Sequence, residues 1–323
     1  MHMKHVPRSA LLLLLCVLGP AGCATLAVAT APSKHAVKDT SEAAAAADRA
    51  FWSVFHGGRY EDIGPTLEQL EVVYLAHPND PNTAAQIGFL HAWRVSERKR
   101  LPQPRASITD DVVLARRYFA EAAALAPDDA RFRGFLASMT LAEGNIHGDA
   151  RLVRRGFFDL GDAVDAWPEF NLFTRGYSLS QLPFDDPSYA IGVEDQWRNL
   201  DACAGKHLDR KSPDLAPLLG EEVHDGPKRA CWNSWIAPHN FEGFFLNMGD
   251  MVVKAGDPQT ARKLYAQAKL SKTYDAWPYK GVLERRLAGA DDNVALFRAK
   301  PPGAGESGPM ISTPFACMGC HQE

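Results

Sequence analysis

From Glu42 onward the chain reads as helix, with helix-forming residues dominant and apolar positions recurring at helical spacing. Apart from short apolar runs, no stretch alternates with period two, so the pattern predicts an all-α body with little sheet. Three stretches depart from it. A continuous apolar run extends from Ala10 to Leu18. Residues 181–240 contain Pro183, Pro187, Pro213, Pro217, Pro227 and Pro238, a density that predicts loops and short helices. Beyond Leu287 the periodicity fades, and Pro301-Pro302-Gly303-Ala304-Gly305-Glu306-Ser307-Gly308-Pro309 predicts an extended, flexible tail. The expected organisation is a leader at 1–22, a small and polar tether at 23–41, helical repeats at 42–180, an insertion at 181–240, a helical repeat with a terminal helix at 241–290 and a tail at 291–323.

A repeat emerges within the helical parts. Between about Phe241 and Thr273, the positions Phe245, Met248, Gly249, Val252, Gly256, Ala261, Tyr265 and Ala268 fall where two antiparallel helices pack, with Asp257-Pro258 at the turn. Gly249 and Ala261 permit close helix approach, and Gly256 suits a helix C-terminus. The second-helix half recurs as Ala115, Phe119, Ala122 and Pro127, and again as Gly156, Leu160, Ala163 and Pro168. First-helix halves are weaker, at Ile87-Gly88 with His91 and at Leu136-Ala137 with Gly144, and Ala43–Pro78 reads as a degenerate pair. These stretches resemble tetratricopeptide (TPR) repeats. The resemblance implies a solenoid of helical hairpins with a concave surface for protein partners.

With 323 residues the chain can bury a sizeable core, and 46% hydrophobic against 23% charged residues is an ordinary globular balance. A net charge of −4 excludes the basic footprint of a nucleic-acid-binding protein. Trp52, Trp93, Trp167 and Trp277 fall on helix faces or ends and read as core, with Trp167-Pro168 and Trp277-Pro278 marking helix ends.

Lys4 and Arg8 precede the apolar run, and Gly19-Pro20-Ala21-Gly22-Cys23 follows it, the order of a secretory signal too short to span a membrane. Pro20-Ala21-Gly22-Cys23 resembles a bacterial lipoprotein box, although Pro20 stands where that pattern usually has Leu. The resemblance implies cleavage before Cys23 and a lipid on it, and Ala24 after it implies sorting to the outer membrane. Ordinary cleavage, for example after Ala29, is the alternative. Both routes export the chain to the bacterial periplasm.

Of six cysteines, Cys16 leaves with the signal and Cys23 is the lipid candidate. Cys203 and Cys231 form an even pair in an oxidising compartment and read as a disulfide. Cys317 and Cys320 belong to Cys317-Met318-Gly319-Cys320-His321, the spacing that attaches haem c. Two thiols form thioethers to the haem vinyl groups, and the next imidazole reaches the iron, so His321 is the expected proximal ligand. The distal ligand is open among Met310 in the tail and His224 or His239 in the insertion, and a five-coordinate iron is a further option. Met248 and Met251 fit the helical core instead. In small cytochromes c the motif lies early and the following helices enclose the haem. Here the tail has to fold back, offer its haem to a partner, or dock in another copy.

The expected function is a c-type cytochrome exchanging electrons with a redox partner protein docked on a TPR-like scaffold. One alternative is a non-enzymatic interaction lipoprotein whose CxxCH binds a metal or cycles between dithiol and disulfide. Another is a haem enzyme or sensor of the peroxidase type, which needs an acid–base residue that no pattern identifies. No nucleophile elbow, phosphate loop or HExxH occurs, and His56, His77 and His91 form no metal-ligand spacing. Asp110-Asp111, Asp128-Asp129, Asp185-Asp186 and Asp291-Asp292 are read as helix caps or loop residues.

Overall fold

The computed structural model describes residues 20–98, 103, 107–215, 222–299 and 318–323. It is all-α: helix makes up 71% of it, and no strand occurs among the described residues. No helix of the described residues is long and apolar enough to cross a membrane. The chain forms two compact units, residues 1–35 and residues 36–323. In the first, helix α1 covers Pro20–Ala29, and the side chain of Cys23 lies outside the described residues.

In the second unit, α2 (Glu42–His56), α3 (Ile63–Ala76), α4 (Pro81–Ser96), α5 (Ile108–Leu125), α6 (Ala130–His147), α7 (Ala150–Ala166) and α8 (Pro168–Leu179) follow one another closely. After α9 (Pro187–Ala204) come α10 (Asn240–Ala255), α11 (Pro258–Ala268), α12 (Lys280–Ala288), α13 (Asp292–Arg298) and the single turn α14 (Met318–His321). Asp-Pro pairs start three of these helices. Asp80, Asp186 and Asp257 accept the backbone N–H of Asn82, Ser188 and Thr260, while Pro81, Pro187 and Pro258 occupy a first-turn position whose missing N–H costs nothing. Asp129 and Asp149 cap α6 and α7 in the same way.

Neighbouring helices pack as antiparallel hairpins: α4 on α5, α6 on α7, α8 on α9 and α10 on α11. The small residues of the repeat sit at the close approaches. A Cβ on Gly156 would lie 2.8 Å from the Ala137 carbonyl oxygen, and one on Gly249 would overlap the Tyr265 ring. Gly256 ends α10 with φ of +105°, a backbone state that glycine reaches without strain. Ala115, Phe119, Ala122, Leu160 and Ala163 are all buried. The helical hairpins are compatible with the repeat reading.

Two large cores result. One gathers Phe51, Phe55, Leu70, Ile87, Leu90 and Trp93 from α2–α4; the other centres on α10, with Phe245, Met248, Met251, Leu264, Tyr265 and Trp277. Cys203 and Cys231 form a disulfide, with Cα atoms 5.7 Å apart and a sequence separation of 28. In the chain-entropy model it stabilises by roughly 3 kcal/mol.

Three expectations need correction. Residues 181–240 are not limited to short helices, because α9 has 18 residues. Its proline, Pro187, lies in the first turn, where it does not interrupt the helical ladder. The tail does not begin at 291, because α13 continues to Arg298, burying Phe297 and donating from Arg298 to the carbonyls of Lys254 and Ala255. Asp111 is no cap. It is buried and pairs with His91 Nδ1 at 2.7 Å and Arg94 at 3.6 Å. At the tether's end, Val37 and Asp39 donate backbone N–H groups to Asn79 and Asp80, so residues 37–41 pack on the body.

Candidate functional site

The C-terminal residues fold back onto the body. Met318 is fully buried in the α2–α4 core, and Cys320 is buried in the α10 core, so one helical turn bridges the two. The body supplies hydrogen bonds to this turn. Trp277 Nε1 donates to the Gly319 carbonyl at 2.8 Å, and the His239 backbone N–H donates to the Cys320 carbonyl at 2.8 Å. The Glu323 N–H donates to the His56 carbonyl at 3.0 Å, and Tyr279 donates to the Gln322 side chain. Gly243 makes the close approach possible: a Cβ there would overlap Cys320 Sγ and stand 2.7 Å from the Gly319 oxygen.

His321 lies partly buried, 4.7 Å from the Phe55 ring. Its Nδ1 is 2.9 Å from the Ile236 carbonyl oxygen. A carbonyl only accepts, so Nδ1 carries the proton and Nε2 keeps its lone pair. Burial pushes the imidazole down to about 4, against the opposing Ile236 bond and with a smaller push from His56. His321 is therefore neutral at neutral pH, the state in which imidazole ligates a metal.

His239 lies buried beside the same turn, at the N-terminus of α10. Its Nδ1 is 3.1 Å from Glu242 Oε1, an oxygen that also accepts from Ser271 and Thr273 at 2.7 Å each. Burial alone would raise the Glu242 carboxyl, but these hydrogen bonds outweigh it and hold it below its ordinary value. His224 is exposed, pairs with Glu222 at 3.6 Å, and makes no contact with the turn among the described residues. Cys317 and Met310 lie outside the described residues. Met248 and Met251 are fully buried core residues.

His56, which belongs to no metal-ligand spacing along the chain, joins this group only in the fold. Its Nε2 is 2.9 Å from the Ile236 oxygen that His321 also uses, and its Nδ1 is 3.9 Å from a Glu323 carboxylate oxygen. Beside it the Trp52 ring lies 5.2 Å from that of His56 and 5.3 Å from that of Trp235, tilted against both, and Trp235 is 64% exposed. No local spacing could reveal this group, because it joins α2, the insertion and the C-terminus.

No protein-family model, curated protein or solved structure matches the chain. The donor set suits a covalent haem c on its own chemistry. Cys320 and Cys317 would carry the thioethers, and His321 offers Nε2 while its Nδ1–H is fixed on a backbone carbonyl, the outer-shell support common to metal-bound histidines.

Proposed function

We propose that this chain is an exported c-type cytochrome in which a TPR-like helical-hairpin body holds one haem c at its C-terminus for electron exchange with a protein partner. Bound there, the haem iron supplies a one-electron couple tuned by its axial ligand, hydrogen bonds and burial. The carrying observation is the docking of the CxxCH end: Trp277, His239 and Gly243 seat its backbone, and Ile236 orients His321 with Nε2 free of hydrogen bonds among the described residues. The rest of the chain supports the cofactor. Trp277 and His239 fix the backbone on both sides of Cys320, and the two cores hold Met318 and Cys320 away from water. Trp52 and exposed Trp235, next to His56, give a partner an aromatic surface close to the motif. Export follows from residues 1–22, and lipidation of Cys23 would tether the body to the periplasmic face of the outer membrane.

Full-length protein matured in a periplasm with haem-attachment machinery provides the test. A pyridine haemochrome spectrum of covalently bound haem is expected, lost in the Cys317→Ser, Cys320→Ser double variant with the helical circular dichroism retained. Wild-type protein without covalent haem would overturn the reading and return the chain to the interaction-scaffold alternative. A haem-loaded protein that turns over peroxide at enzymatic rates would favour the enzyme alternative.

A further inference from the structure

We propose that His239, oriented by Glu242, is the second axial ligand of the haem iron. This rests on the haem c reading above and names the residue that completes it. The candidate histidines, His56 and His239 beside the C-terminal turn and His224 away from it, differ in what their ring nitrogens already do. His56 has its Nε2 on the Ile236 carbonyl, and its Nδ1, 3.9 Å from a Glu323 carboxylate oxygen, has no carboxylate within hydrogen-bond distance to hold it. His224 is solvent-exposed and paired with Glu222. His239 alone of the three is buried, carries one ring nitrogen on a carboxylate, and leaves the other without a hydrogen bond among the described residues.

The environment of His239 is that of a held ligand. Glu242 is 1% exposed, and its Oε1 accepts from His239, Ser271 and Thr273 at once, which favours the carboxylate and fixes its position. An ionised acceptor at 3.1 Å keeps the proton on Nδ1, so the Nε2 lone pair is the free one. A carboxylate behind the imidazole orients the ring and raises the basicity of the opposite nitrogen. The residue is also tied to the motif, because its backbone N–H bonds the Cys320 carbonyl. Gly243, one helical turn further along α10, leaves room for Cys320 Sγ on that part of the helix. The cysteine that would carry a thioether and the histidine that would meet the iron thus share one helix start. Glu242 is a positioning residue acting through His239.

The experiment uses the haem-loaded, full-length protein. Wild type should be low-spin in both oxidation states and should bind no carbon monoxide. His239→Ala should turn the ferrous haem high-spin and carbon-monoxide-binding, and His239→Met should restore six-coordination with a sulfur–iron charge-transfer band. Glu242→Gln keeps the shape and removes the charge. It should leave the haem low-spin but raise its reduction potential, because an amide withdraws less of the Nδ1 proton than a carboxylate does. A low-spin His239→Ala protein that still excludes carbon monoxide would overturn the proposal, as would a Glu242→Gln potential equal to wild type. If His239→Ala fails to fold, judged by far-UV circular dichroism, His239→Met and Glu242→Gln carry the decision. Absence of covalent haem in wild type is a separate result that overturns the cytochrome reading itself.

Discussion

Helices α7 and α10 are nearly equal in length, 17 and 16 residues, but have opposite surroundings. In α7 only Gly156, Leu160, Ala163 and Val164 are buried, and the Arg155–Asp159 pair faces water. In α10 every residue from Phe241 to Lys254 is buried, because α9, α11, α13 and α14 all pack on it. An amphipathic helix at the edge leaves its charges to solvent, whereas a helix covered on all sides must satisfy its polar groups inside. Glu242 does so with His239, Ser271 and Thr273; Asp250 accepts from Tyr265 at 2.6 Å; Lys254 donates to the carbonyls of Ser180 and Leu182. The candidate site lies on the covered helix. Low dielectric and fixed dipoles are available there, and its ligands come from remote parts of the chain.

The sharpest break in this comparison is Gly249→Ala, whose methyl meets the Tyr265 ring and presses on its bond to Asp250. It should cost about 4 kcal/mol, from overpacking and a weakened buried hydrogen bond, read as a lower urea midpoint.

Next is the pH dependence set by Lys254. Burial lowers its ammonium from 10.5 to about 8. Between those values the unfolded chain keeps a proton that the folded chain has released, so stability rises with pH across this window and the burial cost is greatest below it. Measured relative to Lys254→Met, which cancels the other titrating groups, wild type should gain about 2 kcal/mol of stability to urea between pH 8 and pH 10.

Gly243→Ala tests how the C-terminal turn covers α10. Its methyl would collide with Cys320 and the Gly319 carbonyl, so the turn should lift at a cost of about 1–2 kcal/mol. Faster hydrogen exchange at residues 318–323, with α6 and α7 unchanged, is the expected signature. On α7, Arg155→Ala should change stability by less than about 0.5 kcal/mol, because an exposed i,i+4 pair is worth little. If that substitution matched Gly243→Ala, the contrast between edge and centre would fail.

Much of the architecture was readable as local pattern. Gly249, Ala261, Tyr265 and Gly256 foretold the α10–α11 hairpin, since close packing and a left-handed helix end both need particular residues at fixed spacing. The Cys203–Cys231 bridge followed from cysteine arithmetic. The misjudged parts were those where position within an element matters. Pro187 reads as a breaker until it is seen in the first turn, and Asp111 reads as a cap until His91 and Arg94 are seen around it.

The sequence by itself determined the helical class, the hairpin packing residues, the disulfide and the CxxCH spacing, because each rests on neighbours along the chain or on the chemistry of one residue type. Only the tertiary structure decided where the C-terminus goes, that Gly243 and Trp277 receive it, and that His56, Ile236 and the His239–Glu242 pair surround it. These contacts join residues dozens to hundreds of positions apart. No periodicity encodes them; they arise when Met318 and Cys320 are buried in two separate cores.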